Sequence, residues 1–450
     1  MMSRSALGYL RRQYMCVLRR NAMLMASVAL AGVNGAMAQT GGIVADGRTQ
    51  TQVTVGSAVT DVRTQTVRGV NAFNSFSKFN VDAAKTVNLI LPAQTNNLLN
   101  LVTGEASYIN GLVNSYKNGQ IGGNVYFLNP YGVVVGSGGV LNVGSLTLVT
   151  PTTGFMDRLM SASGAIDDAA TAAVLAGQIP LSPTGLVSVK GRINAAEAVN
   201  LAGGNVDIGV GAQVFAGGKA QVAFADLVNV SGIALPNTVS FDGGVVRISA
   251  ANNISVAGQV SADGAGSNAK GGTVNILADR NSSLASTGQV SANGKGGGDG
   301  GFVEFSAKGD VSLAGNGLSA RSDTGKAGTI LIDPTNLTWT SANDFYSHGA
   351  TVTISADKNV ELDGVFVSSR NVANGDSRSN HSSAQSVGNS GDINVSAKRI
   401  KIINGTQLRA DADNGKTAGN VNITATDDAS TPVFGSAEDQ SAYVVITNSV

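Results

Sequence analysis

Six copies of one short phrase recur in the second half of the chain, and a chain built this way buries its apolar side chains only by stacking. The copies read GGVVRISA (243–250), GGTVNILA (271–278), GGFVEFSA (300–307), AGTILIDP (327–334), SGDINVSA (390–397) and AGNVNITA (418–425). Their starts lie 28, 29, 27, 63 and 28 residues apart. Each is a small-residue turn followed by strict apolar/polar alternation, the period of a strand with one buried face. A partner phrase follows most copies: ISVAGQVSADG (254–264), LASTGQVSANG (284–294), VSLAGNGLSA (311–320) and IKIINGTQLRADA (400–412). A fixed period of this length marks stacked units, none of which covers its apolar face alone.

The period fits one coil of an all-β solenoid, a parallel β-helix, with two or three short strands per coil and coils about 4.8 Å apart. The inward set is then Val246, Ile248, Val274, Ile276, Val303, Phe305, Val421 and Ile423. Hydrogen bonds run between coils, so both ends expose open edges that need caps. The aromatic-rich stretch near 73–92 is the expected N-terminal cap. The gap of 63 is two periods plus an insertion: SADKNVELDGVFVSSR (355–370) supplies strands for the missing copy, and NVANGDSRSNHSSAQSVGNSGD (371–392) is a polar loop expected to project. The sequence ends in the strand-like YVVITNSV with no cap in sight, so the stalk is expected to be truncated there.

Composition narrows the alternatives. Gly is abundant, 58 of 450 residues, but without the every-third-residue rule of collagen. At 42% hydrophobic and zero net charge the chain is not of the disordered class. The first 38 residues stand apart. Arg4, Arg11, Arg12, Arg19 and Arg20 form a basic region without an acid, AMLMASVALAGV (22–33) is apolar but too short to span a bilayer, and Ala36-Met37-Ala38 is an A-x-A cleavage site before Gln39. Removing this signal peptide takes five of the 30 Lys and Arg and none of the 30 Asp and Glu, leaving a net charge of −5. That balance disfavours nucleic acid or an anionic membrane as partner. The single cysteine, Cys16, leaves with the signal, so the exported chain forms no disulfide.

Residues 39–150 are β-rich without visible repetition, and from LVSVKGRINA (186–195) the strand grammar resumes. Between them, FMDRLMSASGAIDDAATAAVLAGQIP (155–180) places Phe155, Leu159, Ile166, Ala170 and Val174 near helical spacing, which predicts a short helical excursion over about 153–178. The run VYFLNPYGVVVGSGGVLNVGSLTLVT (125–150) chains short strands through NPYG and GSGG turns, with proline presetting one dihedral and glycine supplying another.

This run resembles the haemagglutination-activity, or two-partner secretion, domain at the N-terminus of filamentous-haemagglutinin-like proteins. Asn129, Pro130, Gly132, Gly136, Gly138, Asn142, Val143, Gly144 and Leu146 match the family pattern, and GVNAFNSFSKFNV (69–81) is similar to a second family segment. Tyr131 replaces the usual asparagine, the family's NPNL motif is not present as such, and the variant looks closest to leukotoxin-type filamentous adhesins. The resemblance implies a right-handed β-helix. It also implies a partner: an outer-membrane β-barrel transporter whose periplasmic domains recognise the secretion domain and export the chain. The implied secretion motif is Asn129, Pro130, Tyr131, Gly132, Asn142 and Gly144. The expected division is a signal peptide (1–38), a secretion domain (39–240) and a repetitive stalk (241–450). The expected product is a secreted or surface adhesin of a Gram-negative bacterium that meets a host-cell receptor or glycan.

Two other classes share parts of this pattern. A contact-dependent or pore-forming exotoxin uses the same export domain. Polysaccharide-degrading enzymes are often β-helices with acid clusters, and Asp411, Asp413, Asp427 and Asp428 form such a stretch, but no basic partner recurs beside them in the sequence. No catalytic, metal or cofactor constellation is expected: the two histidines, His348 and His381, fall in polar loops, and NGKGGGDGG (293–301) reads as a flexible turn lacking the Lys-Ser/Thr of a phosphate loop. Mass spectrometry of the exported chain is expected to give an N-terminus at Gln39 or its cyclised form, and an intact Met1 on the exported protein would refute cleavage.

Overall fold

The computed structural model describes residues 42–222, 241–314, 317–340, 344–373, 384–426 and 444–446. The signal peptide and its cleavage residues Ala36, Ala38 and Gln39 lie outside them, as do His381, Asp427 and Asp428. After an N-terminal cap, and with one helical excursion, the described chain is a parallel β-helix built of about three strands per coil. In one representative coil, Thr273–Ala278 pairs in parallel with Val245–Ala250 before it and Phe302–Leu313 after it. Asn281–Leu284 pairs with Asn253–Val256 and the end of the same long strand. Gln289–Ser291 pairs with Gln259–Ser261 and Leu318–Ser319.

The register puts like on like. Val246, Val274, Val303, Ile330, Val352 and Ile393 align across successive coils, and each is fully buried. Each such side chain contributes about 1.5–3 kcal/mol of apolar burial. Val421 continues the column but is 41% exposed. Its strand, Val421–Ala425, pairs only with Ile393–Ala397 among the described residues, so the residue expected inside is open along the axis. One hydrophobic core runs from Val62 to Ala410. The pairing of Ala198–Gly203 with Val245–Ala250 carries the stack across position 240 without a break.

The missing copy lies earlier than the sequence suggested. Thr351–Ser355 pairs with Thr329–Ile332 on one side and Ile393–Ala397 on the other, so GATVTISA (349–356) is the hidden first strand of that coil. Asn359–Asp363 and Phe366–Ser368, inside the segment singled out, are its second and third strands. The described ends of the polar insertion do not project. Val372 is buried and bridges Ser386, which is itself fully buried.

The N-terminal cap is not the aromatic stretch. Asn71–Asn80 already pairs in parallel with Asn97–Val102 and belongs to the first coil, where Phe76 packs edge-on against Phe79 and Phe79 against Phe127 of a later coil. The cap is the preceding segment. Gly42–Ala45 lies antiparallel on Asn71–Asn80, and the hairpin of Thr51–Val55 and Val59–Thr64 sets its second strand on Thr86–Ile90. Antiparallel strands end the ladder because they need no crossover and cover an edge directly.

The helical excursion is present. Thr153–Leu159 starts at Thr152, whose side chain accepts from the Phe155 amide, and Asp168–Leu175 starts at Asp167, whose carboxylate accepts from Ala170. Phe155, Met156, Leu159, Met160, Ala170 and Val174 pack on the outside of the stack against Phe73, Leu99, Leu101, Leu128 and Val149. This explains NLLNLV (97–102), buried at every position: its inner side chains face the core and its outer ones face the helices.

Phe305→Ala is expected to destabilise the exported chain by about 3–5 kcal/mol, the usual cost of emptying a packed aromatic site. Leu277→Ala, from a residue 42% exposed on an adjacent strand, is expected to stay within about 0.5 kcal/mol. Urea unfolding of the two variants measures the contrast, and equal shifts would remove the inward/outward assignment.

Candidate functional site

The Asn129-Pro130-Tyr131-Gly132 turn sits at the corner between Asn124–Leu128 and Val133–Val135. Asn129 is fully buried and every polar atom of its side chain is used. Its amide nitrogen donates to the Glu105 carbonyl at 2.8 Å and to Ser107 Oγ at 3.1 Å, while its Oδ1 accepts from the Tyr131 amide at 2.9 Å. One side chain thus closes its own turn and ties it to the coil below. Pro130 is buried beside it. Gly132 has φ +117, and a Cβ there would lie 2.8 Å from the Leu186 carbonyl oxygen, so the turn needs glycine twice over. Tyr131, where the sequence departs from the family, is the exposed member at 52%.

Asn142 and Gly144 serve the stack in another way. Asn142 is fully buried, accepts from the Asn194 amide at 2.9 Å and donates to Asn114 Oδ1 at 2.9 Å. Asn114 donates to Asn88, and Asn88 donates to Asp61, so a ladder of amides crosses four coils and ends on a carboxylate of the cap. An amide carries both a donor and an acceptor, which lets one residue type repeat indefinitely along such a ladder. Gly144 lies where the register of the long strand Val140–Val149 shifts, and a Cβ there would sit 2.6–2.7 Å from backbone atoms of Gly123. The turn and the ladder occupy different parts of the coil. They are united by burial and by linking consecutive coils rather than by lining one surface.

The ladders escaped the sequence reading. A second joins Asn71, Asn97 and Asn124, a third Asn74 and Asn100, and others continue in the later coils, where Asn359 donates to Asn336 and Asn422 to Asn394. Their signal was there: most of these asparagines recur at separations of 26–28 residues, the period of the coil, and the exceptions, 52 for Asn142 and Asn194 and 23 for Asn336 and Asn359, fall in coils of other length.

Three expectations about other residues change. The acid stretch does have a basic partner. The Arg370 guanidinium, its side chain 6% exposed, donates to Asp411 at 2.6 Å and to Asp413, and Arg409 also reaches Asp411. The sequence hid this because Arg370 lies 41 and 43 residues upstream, one coil away. The Ser386 amide, first, and then the Arg370 guanidinium hold the Asp413 carboxyl below the usual aspartate range. The group knots the base of the insertion to the next coil. His348 is half-buried with Nδ1 3.1 Å from the Val372 carbonyl, so it is not a solvated loop residue. The run 293–301 is not a loose turn either, since the Asp299 carboxylate accepts from the Lys326 amide at 2.9 Å and Gly300 and Gly301 lie directly against the backbones of neighbouring coils.

Residues 41–232 match the family model of the TPS secretion domain. This part of the chain is a two-partner secretion domain. The fold of the chain as a whole is similar to that of a solved structure, the HMW1 secretion domain from Haemophilus influenzae. The two share 16% identity over 91% of this chain and 97% of that one, with a TM-score of 0.56. No curated protein matches the chain. The secretion domain marks the chain for export by a Gram-negative two-partner system, whose other member is an outer-membrane transporter.

Asn142→Leu breaks the amide ladder and leaves the Asn194 donor and the Asn114 acceptor buried and unpaired. The expected loss is about 2–4 kcal/mol for the two stranded groups, read by urea unfolding. The Asp413 contact has a pH signature. Its folded pKa is lowered, so its stabilisation is full above the unfolded value of about 3.9. It is lost as pH falls through the lower folded value. Amide exchange around 384–386 is expected to rise in that acid window and not between pH 5 and 7.

Proposed function

We propose that the chain is a filamentous adhesin, secreted or held at the cell surface and exported by a β-barrel transporter with periplasmic recognition domains. Its N-terminal domain (39–240) is then the export address and the folding nucleus, and 241–450 is the stalk that carries contact to a host-cell receptor or glycan. The observation that carries this reading is the unbroken register between the two parts: the last coils of the secretion domain template the first coil of the repeats through Ala198–Gly203 and Val245–Ala250. A parallel coil adds to an existing edge one strand at a time, so a chain emerging N-terminus first extends a stack already begun.

The motif residues fit this role through their burial. Asn129, Pro130, Gly132, Asn142 and Gly144 are enclosed once the domain has folded. A transporter that reads them therefore meets them in the extended chain on the periplasmic side. Folding outside then hides the address and removes the chain from the transporter.

Replacing Asn129 and Pro130 together by alanine is expected to stop export while leaving expression intact, with the product accumulating and being degraded in the periplasm. The assay is secretion in the presence of the transporter, paired with melting of the purified chain, where the lost turn is expected to cost about 1–2 kcal/mol. Normal secretion of a measurably destabilised double variant would leave the turn a structural role only.

A further inference from the structure

One polar node joins three parts of the chain that are far apart in sequence. Arg48, in the cap, donates from Nε to Asp46 Oδ2 at 2.9 Å and from Nη2 to Ser75 Oγ at 2.8 Å and Thr103 Oγ1 at 3.3 Å. Its Nη1 reaches the Met160 carbonyl, 112 residues away, at 3.4 Å. Ser75 donates to Asp46 Oδ2 at 2.6 Å, and the Ser75 amide donates to Thr49 Oγ1 at 3.0 Å. The node is largely enclosed, with the Arg48 side chain 17% exposed and that of Asp46 13%. Burial pushes the Asp46 carboxyl up, but the hydrogen bonds from Arg48 and Ser75 outweigh it and hold the group below the usual range.

The backbone repeats the connection. Met160 and Ile166 bridge across a turn from Ser161 to Gly164, and Gly164 adopts φ +82. A Cβ on Gly164 would lie 2.3 Å from the Arg48 carbonyl oxygen. The turn that follows the first helix therefore rests directly on the backbone of the cap. That helix is in turn held by Phe73, Leu99 and Leu128 of the first three coils.

We infer that Arg48 is a latch that closes the N-terminal cap only when the chain as far as Gly164 is in place. The cap, the first coil and the helical excursion then open and close as one unit. A domain with this latch has a built-in length requirement: its first-formed edge stays unsealed until the 112 residues from Arg48 to Met160 have followed it. The inference rests on the fold and holds whether or not the Asn-Pro turn is an export address.

The test is amide hydrogen exchange on the full exported chain, both at equilibrium and as pulse labelling during refolding. In the unaltered protein, residues 46–68 and 153–166 are expected to gain protection in a single phase. Protection of 46–68 in an earlier phase than 153–166 would overturn the latch. Arg48→Lys keeps the charge beside Asp46 but lacks the planar fork that spans Ser75, Thr103 and Met160. It is expected to raise exchange in both segments together by about tenfold, leaving 273–278 and 303–313 unchanged. It is also expected to split the two segments into separate refolding phases. Gly164→Ala attacks the same contact from the other side without touching the guanidinium, and the same paired response is expected. A rise confined to one segment, or none in either variant, would show that Arg48 merely packs the cap.

Discussion

Every coil of this molecule depends on its neighbour for its backbone hydrogen bonds. Within a coil the strands run around the axis and, apart from the small hairpin of Leu112–Lys117 and Gln120–Ile121, do not pair with one another. The peptide groups of the long ladders are satisfied by the coil above and the coil below. The structure therefore has one recurrent problem, an open edge, and answers it differently along its length. At the N-terminus the answer is antiparallel: Gly42–Ala45 and the hairpin 51–64 lie on the first coil and end the ladder. Further on, among the described residues as far as Val421–Ala425, the answer is another coil.

The asparagine ladders belong to the same logic. A buried amide is costly unless both of its ends are paired. An amide over an amide solves this for all members but the last two. In the secretion domain the lower end is closed by Asp61, which only accepts, and the upper end stops at Asn194, because its counterpart in the next coil is Phe215. The ladders therefore fix which coil follows which. A slip of one residue would set an amide against an apolar side chain. The Asn129 turn makes the same link at a corner, from Asn129 to Glu105 and Ser107.

Much of this was legible in the sequence, for a physical reason. Alternation together with a constant period determines an inward column, and Val246, Val274 and Val303 lie where that pattern places them. The helical excursion was equally readable because Phe155, Leu159, Ala170 and Val174 break the strand period. What was missed depends on contacts that periodicity does not encode. Alternation looks the same in parallel and antiparallel strands, so the cap at 42–68 could not be told from a coil. The coil beginning at Gly349 was overlooked because it starts 22 residues after its neighbour, off the 27–29-residue period, and opens Gly-Ala where every other copy has glycine in second place. Arg370 and its aspartates are close only because a coil of unusual length brings them together. The motif residues were found by resemblance, and their burial, which decides what can touch them, is a property of the folded coil alone.

The register of the stalk has an evolutionary side. Valine lies over valine, serine over serine and alanine over alanine, as in Val260 on Val290, Ser261 on Ser291 and Ala250 on Ala278. Each coil thus presents its successor with nearly the same surface that it received. A gene segment encoding one period can be duplicated or lost by misaligned recombination, and the new junction still matches. Each such event moves the far end by one inter-strand spacing, about 4.8 Å. The length of the stack thereby becomes a trait that varies in small steps, independent of the sequence at its N-terminal end.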